Sequence, residues 1–231
     1  MIDINLATLF PNMCLPVLNC SILNRAAQFN LVKFNVFDIR DFAFNKHNSV
    51  DDLPYGGGDG MLLMAEPIFK CYEHVLSKTS KALHVIYTSP KGAVFNQKKA
   101  LELSRSEKSL LFVCGHYEGI DQRVIDEIVD EEISIGDYII TGGELAALVI
   151  IDSIVRLIPG VLPKSSCYEK ESHFNGMLEY PQYTRPQIWH NKKVPDVLLS
   201  GHHANIENWK KTQSYDLTKK NRPDLLKKVE K

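Results

Sequence analysis

The sequence of 231 residues has little that would mark a secreted, membrane-embedded or disulfide-stapled protein. Its five cysteines, Cys14, Cys20, Cys71, Cys114 and Cys167, are odd in number, widely spaced and never in a Cys-x-x-Cys pair, so neither a disulfide framework nor a zinc or dithiol motif is expected. No apolar run reaches the ~18 residues that span a bilayer, and Met1-Ile-Asp-Ile-Asn lacks the basic and apolar parts of a signal peptide. A cytoplasmic location and no membrane partner are therefore expected. Internal repeats and low-complexity tracts are absent too. Charge of one sign is scarce overall, the net being −1. That balance hides an asymmetry, because Met177 to Lys231 carry eleven Lys and Arg against six Asp and Glu, which leaves the first 176 residues acidic. A basic tail on an acidic body fits phosphate binding, and equally a lysine-rich solvated helical surface.

With 44% hydrophobic residues, the chain can bury one sizeable core and a smaller second one. Apolar residues alternate at Ile2, Ile4 and Leu6, and runs rich in β-branched and aromatic residues recur at Leu31 to Ile39, Leu83 to Thr88, Leu110 to Cys114 and Ile133 to Ile135. These read as strands. Helix-like segments lie between them at Asn96 to Ser104 and Gln122 to Asp130, and Gly143 to Ile158 follows with apolar residues around most of its circumference. Strands alternating with helices predict an α/β fold with a mostly parallel sheet, its last helix buried in the core or against a second subunit. After Pro159-Gly-Val-Leu-Pro163 the texture turns polar, and residues 163–176 read as a flexible linker. Residues 177–231 read as a small helical domain, with one helix after Ser200-Gly201 presenting Ile206 and Trp209 and another over Pro223 to Lys228. The first 162 residues form the α/β domain.

Four segments spend glycine and polar residues where a simple fold does not require them. Pro54-Tyr-Gly-Gly-Gly-Asp-Gly-Met61 permits positive φ and close backbone approach, as a flexible structural loop or one that shapes a substrate. The residues before it, Val50-Asp-Asp-Leu-Pro54, read as a turn, and no Lys-Ser/Thr follows, so a phosphate loop is disfavoured. Tyr87-Thr-Ser-Pro-Lys-Gly92, Cys114-Gly-His-Tyr-Glu-Gly-Ile-Asp121 and Ser134-Ile-Gly-Asp-Tyr-Ile-Ile-Thr-Gly-Gly-Glu144 each sit at the carboxyl end of an expected strand. Ligands of open parallel sheets bind there, so the three loops should meet around one small molecule. They offer amides, tyrosine faces and carboxylates but little positive charge. A cofactor with several phosphates is disfavoured; an adenosine with a sulfonium and an amino acid tail is acceptable.

Together these segments resemble the bacterial tRNA (guanine-N1)-methyltransferases of the TrmD type, in the knotted SPOUT class. The resemblance runs through nearly the whole chain, continuing in Arg156-Leu-Ile-Pro-Gly-Val-Leu162, Tyr180-Pro-Gln-Tyr-Thr-Arg-Pro186 and Ser200-Gly-His-His-Ala-Asn-Ile-Glu-Asn-Trp209. It implies a deep trefoil knot holding S-adenosyl-L-methionine against Ser89, Pro90, Gly115, Tyr117, Ile135, Gly136, Asp137, Tyr138, Ile139, Ile140, Gly142 and Gly143. Glu118 lies beside the donor, toward the guanine. The resemblance also implies a homodimer whose site joins the knot of one subunit to the linker and tail of the other, with tRNA as substrate. Family enzymes are helped by Mg2+, for which no ligand is assigned here.

Guanine N1 is protonated at neutral pH, so a carboxylate must take that proton as the methyl arrives, while charge develops toward O6. The family's Asp-Ser-Phe pattern corresponds to Glu171-Ser172-His173, which implies Glu171 as base; on residues alone it reads as a solvated linker carboxylate. Arg156 matches the charge-stabilising arginine, and otherwise reads as a helix-end arginine meeting the C-terminal dipole. Tyr55, Gly57, Gly58, Asp59, Arg185, His202 and His203 are expected to meet the RNA substrate. His202 and His203 are adjacent and without cysteine company, so no metal is expected on them. Asp59 stands where relatives commonly have Pro, Ala146 where Pro often follows Gly-Gly-Glu-Leu, and His116 where many have Arg. Two other functions remain open: a SPOUT enzyme acting on ribosomal RNA or a ribose 2′-hydroxyl, and a noncatalytic knotted RNA-binding protein. A ribose target would need no base for an N1 proton.

Overall fold

Five apolar segments, β1 (Ile2–Thr8), β2 (Val32–Asp38), and, further on, Leu83–Val94, Ser109–Cys114 and Glu131–Ser134, pair side by side in a computed structural model that describes residues 1–164 and 166–229. Ser165, within the stretch read as a linker, and Glu230 and Lys231 of the basic tail lie outside the described residues. Between β1 and β2 come helices α1 (Pro11–Leu18) and α2 (Ser21–Gln28). A two-residue antiparallel pair, β3 (Asp51–Asp52) and β4 (Leu62–Leu63), precedes α3 (Ala65–Lys78). Then follow β5 (Leu83–Val94), α4 (Gln97–Ser104), β6 (Ser109–Cys114), α5 (Gln122–Ile128), β7 (Glu131–Ser134) and α6 (Glu144–Val155).

The sheet order is β2-β1-β6-β5-β7, and every pairing in it is parallel, as the alternation of strands and helices predicts. Alternate residues of each strand serve opposite faces. Ile4, Leu6, Leu110 and Phe112 join the core that contains α6, while Val85, Tyr87, Leu111 and Val113 join the one beneath α3 and α5. The buried amide of Asn5 inside β1 is satisfied: Asn5 Nδ2 donates to the Leu110 carbonyl at 3.0 Å and Asn5 Oδ1 accepts from Asn35 at 2.9 Å. Asn96 and Asp121 cap α4 and α5 by accepting from Lys99 and Arg123 N–H groups, which fixes where those helices start.

The structure departs from the sequence reading in three places. Val50 to Pro54, read as a turn, contains the strand β3 behind a fully buried Val50. Strand β5 does not stop at Thr88 but resumes after a looped-out segment. Helices α1, α2 and α3 had no expected counterpart.

The chain divides into two compact units, Met1–Pro163 and Lys164–Lys231. The second contains α7 (Ser166–Glu169), a hairpin of β8 (Ile188–Trp189) and β9 (Lys192–Lys193), α8 (Asp196–Leu199), α9 (His203–Asn221) and α10 (Pro223–Val229). Trp209 of α9 packs beside Tyr180 and Tyr183, with ring centroids 6.5 and 6.3 Å away. Thr218, fully buried, accepts from the Leu178 N–H at 2.9 Å and donates to the Ser214 carbonyl at 2.7 Å. Among the described residues no helix is long and apolar enough to cross a membrane.

Candidate functional site

Three loops leave the carboxyl ends of β5, β6 and β7, and each owes its shape to identifiable residues. In β5, Thr88 and Ala93 both pair with Ile133 of β7, so Ser89-Pro90-Lys91-Gly92 is extruded from the ladder. Proline has no N–H to give a central ladder. Gly92 is pressed so close to β7 that a Cβ there would lie 2.4 Å from the Glu132 carbonyl carbon. The Ser89 hydroxyl accepts from the Lys91 N–H at 3.1 Å and closes the extruded turn.

After β6 the chain turns at Tyr117, with φ 57°, and Gly119, with φ 116°. The Gly119 N–H donates to the His116 carbonyl at 3.0 Å. The glycine-rich loop docks on this turn, because the Glu118 N–H donates to the Met61 carbonyl at 3.1 Å and the Leu63 N–H to the Gly119 carbonyl at 3.0 Å. Gly60 is needed at that approach: its φ is +104°, and a Cβ would lie 2.8 Å from a Glu118 carboxylate oxygen.

After β7 a strap, residues 135–143, leaves the sheet edge and runs to the tip of β6, two strands away, before α6 begins. His116 and Gly142 form an antiparallel bridge, the Gly143 N–H donates to the Gly115 carbonyl at 2.8 Å, and Thr88 Oγ1 donates to the Gly143 carbonyl at 3.2 Å. Side chains would block this: a Cβ on Gly142 would meet Glu144 and His116 atoms at 2.4 Å, and one on Gly143 would meet Thr88 Oγ1 at 2.2 Å. The strap's far end is anchored by a buried polar pair, since the enclosed Glu144 carboxylate accepts from Thr8 Oγ1 at 2.7 Å.

The three loops enclose a cleft of about 160 Å³, space for on the order of ten water-sized volumes and so for part of a nucleoside-sized molecule. Every residue that the resemblance assigns to the donor lines it except Asp137, which is exposed: Ser89, Pro90, Gly115, Tyr117, Ile135, Gly136, Tyr138, Ile139, Ile140, Gly142 and Gly143, with Glu118 beside them. His116, noted above where many relatives have Arg, also lines it, as do Tyr87, Thr88, Lys91 and Thr141, which were not singled out individually from sequence. Their signal was their place inside the quoted strand-end motifs. Burial, with the Glu132 charge adding to it, pushes the Tyr87 phenol up to about 12, so it is neutral at physiological pH and presents a polar edge at Gly115. Burial likewise holds the Cys114 thiol well above its usual range, with the Glu144 charge adding to the effect, which makes it a packing residue and not a nucleophile. Lys91 is the sole Lys or Arg among the lining residues. His116 Nδ1 is buried against Gly142 without a hydrogen-bond partner among the described residues.

The remaining sequence-singled residues lie elsewhere. Arg156 is the half-buried C-cap of α6, opposite the end that meets the cleft. Tyr55 is wholly exposed, and Gly57, Gly58 and Asp59 face solvent around it. In the second unit, half-buried Glu171 follows α7 and its N–H donates to the Tyr168 carbonyl at 3.2 Å. Arg185, His202 and His203 are exposed there, His202 standing as the N-cap of α9. No three His, Cys, Asp or Glu side chains among the described residues gather as a metal site.

A family model described as tRNA (Guanine-1)-methyltransferase TrmD matches residues 2–228. The chain belongs to this family. It is 54% identical to the tRNA (guanine-N(1)-)-methyltransferase of Ruminiclostridium cellulolyticum over 96% of this chain and 95% of that protein. It is 53% identical to the protein of the same name from Alkaliphilus metalliredigens, over 97% of this chain and 91% of the other. With that of Clostridium kluyveri the identity is 52%, over 99% and 92%. Relatives this similar over nearly their full length share a fold and an enzymatic class with this chain.

Proposed function

We propose that the protein is a tRNA (guanine-N1)-methyltransferase that uses S-adenosyl-L-methionine to methylate the guanine 3′ of the anticodon, acting as a homodimer in the cytoplasm. The observation that carries this reading is the convergence of the three strand-end loops on one cleft in a chain of this family. The cleft suits the donor: one lysine is too little charge for a polyphosphate cofactor, and the lining offers the Tyr87 phenol and the Glu118 carboxylate as polar groups. The strap that crosses the β5 bulge to reach β6 is the local course a trefoil knot requires, and it supports a knotted chain.

When bound, the donor supplies an electrophilic methyl on its sulfonium. The protein's own residues do the rest. Loop residues fix the donor so that methyl and guanine N1 align, which removes much of the entropic barrier. The Glu171 carboxylate takes the N1 proton as the N–C bond forms and the S–C bond breaks, and Arg156 offsets the charge appearing on O6. A second subunit is needed for this. From Gly143 to Arg156 the helix rises about 20 Å, more than an arginine side chain can bridge back, so Arg156 serves the cleft of the other protomer. An apolar surface is available for that pairing: Met13 and Val17 on α1 and Leu145 and Val149 on α6, each pair four residues apart, are exposed. No magnesium ligand is assigned among the described residues.

Incubation of the purified protein with unmodified tRNA and donor, followed by mass spectrometry of nucleosides, should give 1-methylguanosine at that position. None above background would reject the reading. Glu171→Gln should abolish turnover while leaving donor affinity within about twofold; equal turnover would remove Glu171 from the chemistry.

A further inference from the structure

The hairpin β8–β9 exposes what a folded protein ordinarily covers. Trp189 keeps 60% of its surface in water and Ile188 keeps 54%. Every residue from Gln182 to Lys193 is exposed. The turn between the strands is two residues long, His190 and Asn191, both at positive φ (48° and 61°), and the base is closed by the Val194 N–H donating to the Gln187 carbonyl at 3.0 Å. Such a tight turn holds the register, and the register decides which side chains share a face. Trp189 pairs with Lys192 and Ile188 with Lys193. Residues directly opposite in an antiparallel pair project to the same side, so Trp189 and Lys192 share one face of the hairpin.

Neither is occupied within the chain. No carboxylate lies within ion-pair distance of Lys192, Lys193 or Arg185 among the described residues, and no cation sits over the indole. His190 makes an edge-to-face contact with the indole, ring centroids 4.4 Å apart, so at most one of the two indole faces is covered by it. Between Gln182 and Lys193 the sequence has three Lys or Arg and no Asp or Glu. An exposed aromatic plane beside uncompensated cations is the pattern that takes a nucleobase on its π-face and the neighbouring phosphate on its charge. The lack of any Asp or Glu between Gln182 and Lys193 favours a polyanion over a protein surface of mixed charge.

We infer that this hairpin is an RNA contact, in which Trp189 stacks on an unpaired base of the tRNA and Lys192 meets the adjoining phosphate. The inference rests on tRNA being the substrate and adds to that reading a contact in the tail domain, away from the donor cleft's own residues.

The test measures dissociation constants for unmodified transfer RNA across a salt series, beside donor affinity by calorimetry and oligomeric state by light scattering. Trp189→Ala should weaken RNA binding by about 5- to 100-fold, the range for losing one stacked base. Trp189→Phe should recover most of it, and Lys192→Gln should flatten the slope of log affinity against log salt by roughly 0.7 to 0.9. Donor affinity and oligomeric state should not move. Unchanged RNA affinity in Trp189→Ala, a loss in Trp189→Phe as large as in Trp189→Ala, or a dissociated dimer with RNA binding intact would overturn the inference, the last by showing that the hairpin docks on protein. If the wild type makes no 1-methylguanosine while Trp189→Ala still weakens RNA binding, the enzymatic reading falls and the hairpin contact stands.

Discussion

Helices α6 and α9 meet water in opposite ways. Of the twelve residues of α6, eight are buried, whereas α9 has nineteen and buries Thr218 alone. The amino end of α6 is itself a wall of the cleft, and its first residue, Glu144, is a carboxylate held inside the protein by Thr8. Helix α9 carries its polar side chains into solvent and uses Trp209 and Thr218 to hold the Tyr180 segment. In the first unit, fold and site are therefore the same atoms, and a change to one is a change to both. In the second unit α9 leaves nearly all its length in solvent, and the hairpin inferred to meet RNA stands outside the helices.

That difference predicts where substitutions hurt. The greatest loss is expected from Gly143→Ala. The added Cβ would lie 2.2 Å from Thr88 Oγ1 and 3.0 Å from the Cys114 Cα, and the latter is backbone that cannot turn aside. The strap must lift from β6, and a displacement of that kind costs on the order of 100-fold in alignment-dependent function. Overpacking adds about 1–3 kcal/mol of instability. Calorimetric donor affinity and Tm should fall together; a variant with normal donor affinity would show that the strap can lift from β6 without harm to the site. A smaller effect is expected from Thr8→Val, which keeps the volume and removes the donor to the buried Glu144. Hydrogen bonds to charged groups are worth about 1.5–3 kcal/mol, so Tm should drop by roughly 3–10 °C. No change in Tm would mean the pair is not what anchors α6.

Much of this was legible in sequence, and the gaps have physical causes. The strands at 83–88 and 110–114 announce themselves because central parallel strands are buried on both faces and read as continuous apolar runs, whereas the one at 31–39 is the half-buried edge strand β2, legible through its β-branched and aromatic residues. Helix α1 hides behind Pro11 and Pro16, and α1, α2 and α3 all start without a side-chain cap, so the usual start signals are missing. Strand β5 was cut short at Thr88 because Pro90 and Gly92 read as terminators, and only pairing with β7 shows the strand continuing beyond them. The glycine-rich loops could be located as motifs, since few other sequences tolerate so much glycine. Which atoms they bring together could not: Thr8 and Glu144 are 136 residues apart, and no local pattern links them.

The mildest and most discriminating prediction concerns acid. Three carboxylates are held below the usual carboxylate range, Asp121 and Glu131 in the first unit and Glu207 in the second, and the two glutamates make the comparison. For Glu131 the main cause is the hydrogen bond from His84 Nε2 at 2.8 Å, with Lys99 adding to it at 3.1 Å; for Glu207 it is Lys210 at 3.1 Å. A carboxyl depressed in the folded state binds fewer protons than in the unfolded chain, so its stabilisation is complete above its ordinary value of 4.5 and is lost as pH falls through the folded value. The Glu131 side chain is 22% exposed and ties β7 to α4 and β5, while that of Glu207 is 53% exposed and bonded within one turn of its own helix. Solvent screens the second pair far more than the first. Thermal melts between about pH 5 and 3 should therefore lose less Tm in Glu131→Gln than in the wild type, because the linked proton is gone. Glu207→Gln should follow the wild-type curve. Equal flattening by both variants would mean that exposed helix pairs in the second unit contribute as much as the sheet-edge network in the first, and the contrast drawn from α6 and α9 would not extend to electrostatics.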